Sequence, residues 1–179
     1  DTHEAHYANL LNLHSKRFGK GIKHYEPLLS HGSDRLIIRL RSENDKTCIG
    51  IFNENFAENK AFLSFAKHFR EKGLKVPRIY QVSEDGKLYL LEDLGDETLL
   101  KRINRTPGGF GSDKTALYKR GINELVRFQV SAGKDIDYSL CYQFKEFGGE
   151  NIDFDLDYFR ERFLNIFYKG ELQEGLLRA

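Results

Sequence analysis

The stretch from Leu28 to Leu40, LLSHGSDRLIIRL, sets a glycine, two serines and an arginine between two apolar half-strands. A plain two-residue hairpin asks only for residues that tolerate positive φ, such as Asn-Gly or Asp-Gly. This turn is longer. The hydroxyls of Ser30 and Ser33 and the backbone N–H groups around Gly32 make the kind of concave donor array that holds an anion. The competing reading of the same residues is an ordinary hairpin loop. Other candidate residues point to less. NIDFDLDYF (151–159) contains Asp153-Phe154-Asp155, which resembles a metal motif. An EF-hand count from Asp153 puts Tyr158 and Leu164 where glycine and glutamate are required. Asp157 suits a helix N-cap or first turn, so the stretch reads as a loop followed by a helix start. His3 and His6 read as part of a frayed terminus, and Cys48 and Cys141 form neither a C-x-x-C nor a disulfide framework.

The elements that must position these residues follow from hydrophobic period. Residues 4–18 predict a helix with Ala5, Ala8, Leu11 and Phe18 on one face, stopped by Gly19 and Gly21. IKHYEPLL and LIIRLRS predict two strands around the polar turn. In the second, Leu36, Ile38 and Leu40 point one way, and Arg35, Ile37, Arg39 and Arg41 the other. TCIGIFNEN (47–55) predicts a third strand. The segment 58–74 predicts a helix that buries Phe62, Phe65 and Phe69 and ends at Gly73. RIYQVSEDGKLYLLEDL predicts a hairpin turning at Asp85-Gly86. After a glycine-rich connector, a helix is expected from Ser112 and another from Asp157 to Lys169.

Composition narrows the partners. Among 179 residues, 28 lysines and arginines face 27 aspartates and glutamates, for a net charge of +1. Such balance gives no global field for nucleic acid or an anionic membrane, so any anion site must be local. No apolar run reaches the length of a membrane span, and the sparse cysteines predict a cytoplasmic protein. The absence of methionine suggests that the chain is a piece of something longer.

Taken in order, a strand pair joined by a small-residue loop, a third strand, a helix opening with Glu58, and a hairpin ending in LLEDLGD (90–96) form a pattern. With the words GSDRLIIRL, ENKAFLSFAKHFREKGLKVPRIY and YLLEDLGDETL, it resembles the aminoglycoside phosphotransferase family of the protein-kinase-like fold, and within it the cell-wall amino-sugar kinase branch. The resemblance covers roughly residues 22–130. It implies an α+β fold: a small lobe of about five antiparallel strands with a packed helix over 1–94, a connector over 95–111, and the first helices of a helical lobe over 112–179.

The resemblance also implies site residues. Ser30, Gly32 and Ser33 would cover the phosphates of ATP. Glu58 would pair with a third-strand lysine that touches the α- and β-phosphates. Here the sequence departs from the family: no lysine lies between Thr47 and Asn55, so Arg35 and Arg39 become the candidate cations. Glu92, Asp93 and Leu94 would offer backbone groups to adenine. Leu90 and Leu91 would lie near the base, with Ile38, Ile51 and Val76 completing an apolar slot. The implied reaction is Mg2+-dependent transfer of the γ-phosphoryl group to a sugar or amino-sugar hydroxyl. All six histidines precede residue 70, so the family's H-x-D-x-x-x-x-N loop is not within these residues, and the 179-residue chain is expected to be inactive by itself. The alternatives are a non-catalytic kinase-like binding or regulatory module and a small scaffold that binds no nucleotide. Uncovered apolar helix faces predict self-association of the chain.

Overall fold

In the computed structural model, which describes residues 2–19, 21–29, 34–107 and 111–168, the chain divides into two compact units, residues 1–140 and 141–179. The first unit is built on a five-stranded antiparallel sheet of β1 (Ile22–Leu28), β2 (Leu36–Ser42), β3 (Thr47–Phe52), β4 (Ile79–Val82) and β5 (Leu88–Glu92). The spatial order is β1-β2-β3-β5-β4. Helix α1 (Thr2–Phe18) precedes the sheet, and α2 (Phe56–Glu71) joins β3 to β4. The protein is therefore α+β, with the antiparallel sheet and inserted helix that the sequence predicts.

The two faces of the sheet are covered differently. Strand alternation sends Leu36, Ile38 and Leu40 of β2 to one side, where they bury with Cys48, Leu90 and Leu10 of α1. On that side Gly50 is the point of closest approach. A Cβ there would lie 3.2 Å from Leu40 Cδ1 and 3.3 Å from both Ile38 Cγ1 and Leu10 Cδ2. The helix settles on Leu10 and His14, flanked by Tyr7, Leu11 and Phe18. Ala5 and Ala8 are exposed, so the expected face is corrected toward Leu10 and His14. Large side chains, and not alanines, fill the space above the sheet.

The other face carries Ile51, Tyr89 and Leu91, packed by Phe62 and Leu63 of α2. The most deeply buried residues of α2 are Asn59, Ala61 and Ala66. Phe62, Phe65 and Phe69 are half-buried, not fully covered as expected. Small residues at the contact line let the helix approach closely, which leaves the phenylalanines to wedge along its flanks. Phe62 stacks on Tyr89 with ring centroids 5.6 Å apart, whereas Phe69 turns edge-on to Phe128 at 5.0 Å. Asn55 caps α2 by accepting from the Glu58 amide at 3.1 Å. Gly73, at φ +75°, takes the left-handed position just past its end.

After the sheet come α3 (Leu99–Arg105), capped by Thr98, and α4 (Ser112–Val126), which continues as a π-helical turn over Arg127–Ser131. That turn docks on the C-terminal end of α2. Arg127 donates to the Gly73 carbonyl, and His68 meets the Ala132 carbonyl at 2.7 Å. In the second unit, α5 spans Gly149–Phe159 and runs on through a π turn (Arg160–Leu164). This helix starts eight residues earlier than the sequence predicts. Asp153, Asp155 and Asp157 all lie within it, where no N-cap or loop role is left for them.

Candidate functional site

The face of the sheet that α1 leaves uncovered organises into cross-strand rows. Pairing places Glu26, Arg39, Ile49, Leu91 and Ile79 side by side across β1, β2, β3, β5 and β4. The adjacent row holds Leu28, Ile37, Ile51 and Tyr89. Helix α2 covers the β3–β5 half of these rows, and Ile37 and Ile49 stay half-buried. Arg35 and Arg39 stand on this same face, four residues apart, which separates their Cα atoms by roughly 13 Å. Two polar clusters result, one at each end of β2.

At the β1–β2 loop end, Glu58 is the third residue of α2, fixed there by the Asn55 cap. Its carboxylate accepts from Arg35 and, at 3.0 Å, from Asn53 Nδ2. Asn53 in turn accepts the Asn55 amide at 3.1 Å, so β2, the end of β3 and the first turn of α2 are tied together. The Tyr89 phenol lies within the reach of both charges. Its burial pushes its pKa up, Arg35 acts to lower it, and Glu58 raises it further. An open groove of about 490 Å³ adjoins this end, lined by Tyr7, Pro27, Leu28, Asp34, Arg35 and Ile37 among others. Ser30, Gly32 and Ser33 lie outside the described residues.

At the opposite end the chain leaves β5 as Glu92-Asp93-Leu94-Gly95-Asp96. Glu92 closes this end of the sheet, its amide donating to the Arg78 carbonyl at 2.8 Å and its carboxylate accepting the Arg78 amide at 3.1 Å. Leu94 is exposed, and Gly95, at φ +77°, bends the chain. That bend brings Asp93 and Asp96 together on Arg39. Asp93 accepts from Arg39 Nε at 2.7 Å and from Nη2 at 3.2 Å. Asp96 accepts from Nη2 at 2.8 Å and from Nη1 at 3.2 Å. Glu26 accepts from Nη1 at 3.1 Å. Burial alone would raise the Asp93 carboxyl, but Arg39, the Gly95 amide and the Thr47 hydroxyl outweigh it and hold it below the usual range. Asp96 is lowered by Arg39 as well.

Several expected positions need correction. Ile38 and Leu90 are fully buried on the α1 face, so neither can line a slot on the cleft side. Ile51 is buried under α2. The apolar residues between the two polar clusters are Ile37 and Ile49. Sequence reasoning passed over Asn53, Tyr89, Glu26 and Asp96. Strand parity was the available signal for Asn53, which shares the parity of Ile49 and Ile51, whereas Glu26 meets Arg39 through the register of the β1–β2 pair. No protein-family model matches the chain, and no curated protein matches it. Among the described residues no helix is long and apolar enough to cross a membrane.

Proposed function

We propose that residues 1–140 contain the nucleotide-binding lobe of an ATP-dependent small-molecule phosphotransferase, with a sugar or amino-sugar hydroxyl as acceptor and Mg2+ as cofactor. One observation carries the reading. Glu58, in the first turn of α2, is met by a cation on the cleft face of the sheet, as phosphoryl-transfer lobes of this kind require. The cation is Arg35, immediately before β2, in place of the third-strand lysine of the resembled family, and Asn53, just past β3, adds a hydrogen bond to the same carboxylate. Arginine suits the exchange, since its planar fork can hold a carboxylate and turn toward phosphate oxygens. The apolar strip of Ile37 and Ile49 then leads from the phosphate end to the 92–96 hinge, in keeping with a base site that is mostly apolar with a few fixed polar groups.

In this reading the lobe binds and orients. Arg35 faces the phosphates, and the Glu92 carbonyl with the backbone of Asp93 and Leu94 faces the base, the Glu92 amide being held by the Arg78 carbonyl. The residues that would orient the acceptor and hold the metal are not among those described. Absence of a lysine on β3 favours the second reading, a kinase-like module that binds nucleotide without turnover.

Titration of 15N-labelled chain with MgATP tests the nucleotide site, including at millimolar affinity. Amide shifts should concentrate at Arg35, Ile37, Asn53, Glu58 and Leu94, and Arg35→Met should weaken binding about ten-fold, the worth of one charge-assisted hydrogen bond. Absence of shifts, or shifts confined to Leu10, His14 and the rest of the α1 face, would defeat the proposal.

A further inference from the structure

Arg39 of β2 and Arg35, just before it, share a face and a side-chain type, and the sequence nominates both as phosphate cations. Their surroundings separate them. A guanidinium has five N–H donors in a fixed fork. All five of Arg39's are engaged: one Nε bond to Asp93, two Nη2 bonds to Asp93 and Asp96, and two Nη1 bonds to Asp96 and Glu26. The Arg39 side chain is only 11% exposed, and that of Asp93 6%. One positive charge faces three carboxylates, so the cluster carries a net charge of −2. Such a cluster repels a polyphosphate and offers it no donor.

We infer that Arg39 is a positioning residue that fixes the 92–96 hinge through Asp93 and Asp96, and does not contact phosphate. Its role in base binding rests on the nucleotide reading above. The two aspartates flank the bend at Gly95, and Asp93 Oδ1 also accepts the Gly95 amide at 2.9 Å. The Lys101 ammonium, at the start of α3, holds the Asp96 carbonyl at 2.9 Å. The guanidinium therefore sets the conformation of the segment whose backbone would meet the base, from a strand that the hinge itself never joins. Glu26 extends the tie to β1, the edge strand. Base recognition depends on backbone groups held in place before the ligand arrives, and a hinge left to fluctuate must be ordered at the ligand's expense.

The test has two readouts. Hydrogen exchange reports on the hinge without any ligand. In Arg39→Met, the Gly95 amide should exchange about ten-fold faster, while the capped Glu58 amide keeps its wild-type rate. Arg39→Lys, which can hold one carboxylate, should fall between. Asp96→Asn is the milder variant for the event that Arg39→Met folds poorly, and it should loosen the same amide to a smaller extent. Binding is then measured separately for adenosine and inorganic tripolyphosphate. Arg39→Met should weaken adenosine about ten-fold and leave tripolyphosphate within about two-fold, whereas Arg35→Met should do the reverse. Unchanged exchange at Gly95 in Arg39→Met overturns the inference, as does a loss of tripolyphosphate affinity with adenosine unaffected. If wild type binds neither probe while Gly95 loosens as expected, the nucleotide reading fails and the hinge-fixing role of Arg39 stands.

Discussion

Gly50 offers a test of how the sheet is sealed on the side away from the proposed site. It lies in the middle of β3, and its missing side chain is what lets Leu10 of α1 touch the sheet. A Cβ at this position meets Leu40, Ile38 and Leu10 at 3.2–3.3 Å, a few tenths of an ångström too close. All three neighbours are fully buried side chains with nowhere to retreat except outward, taking α1 with them. Alanine gains about 0.5–1 kcal/mol from lower chain entropy and better strand propensity, which roughly offsets the crowding, so Gly50→Ala should be near neutral. Valine adds two further methyl groups and should cost about 1–3 kcal/mol. Leu10→Ala should cost about 2–4 kcal/mol for the lost burial and the cavity left above the strand. The double variant is the decisive measurement, because valine fills part of the cavity that the leucine vacates. Urea unfolding should therefore give a double-variant loss smaller than the sum of the two single losses by about 1–2 kcal/mol. Strictly additive losses would mean that Leu10 does not sit over Gly50, and the account of α1 would be wrong. Since all of this happens on the α1 face, Gly50→Val should leave the affinity for MgATP unchanged under conditions where it remains folded.

Asn59→Ala should destabilise by about 1–3 kcal/mol in the same assay, because the Asn53 and Gly86 carbonyls, held at 2.8 and 3.0 Å, lose their buried donor. The folded-state pKa values of Asp93 and Asp96 are lowered, so the stability they contribute is complete above their unfolded value of about 4 and is lost as pH falls below it. Wild type should accordingly lose stability on acidification below about pH 4, whereas Arg39→Met, with its carboxylates left to repel one another, should lose less or gain; parallel curves would refute the cluster.

Strand parity made much of the sheet legible. In LIIRLRS the alternation of Leu36, Ile38 and Leu40 against Ile37, Arg39 and Arg41 is strict, and the structure buries the first set and leaves the second half-covered. Asp85-Gly86 and Gly73 marked a turn and a helix end because each needs a backbone conformation that other residues resist. The buried stripe of α1 was harder to read. It includes His14, and a search for apolar period skips a histidine even when it is 3% exposed. The faces of the adenine slot were lost for a different reason: parity already set Ile38 opposite Arg35 and Arg39, but Leu90 is as apolar as Leu91, and only the pairing register puts Leu90 on the side of Ile38. The Arg39 cluster depends on contacts 13, 54 and 57 residues distant in sequence, which no local pattern contains.

Arg35, just before β2, and Arg39 within it show how neighbouring arginines can serve unlike ends of a site. Arg35 pairs with Glu58, whose carboxylate is also held by Asn53, so the Glu58 charge remains partly satisfied if the guanidinium turns away. Arg39 meets three carboxylates, one of them almost fully buried, and withdrawing it would leave those charges facing one another in a partly desolvated corner. The first arrangement permits exchange of one anion for another, and the second opposes it. An arginine that trades partners belongs where a charged ligand arrives and departs, and a saturated one belongs where geometry must persist between visits. If the chain is a nucleotide-binding lobe, the lack of a lysine on β3 then has a physical account: Arg35, just before β2, supplies the cation to Glu58, the Asn53 amide joins it on the same carboxylate, and Arg39 holds the 92–96 segment at the other end.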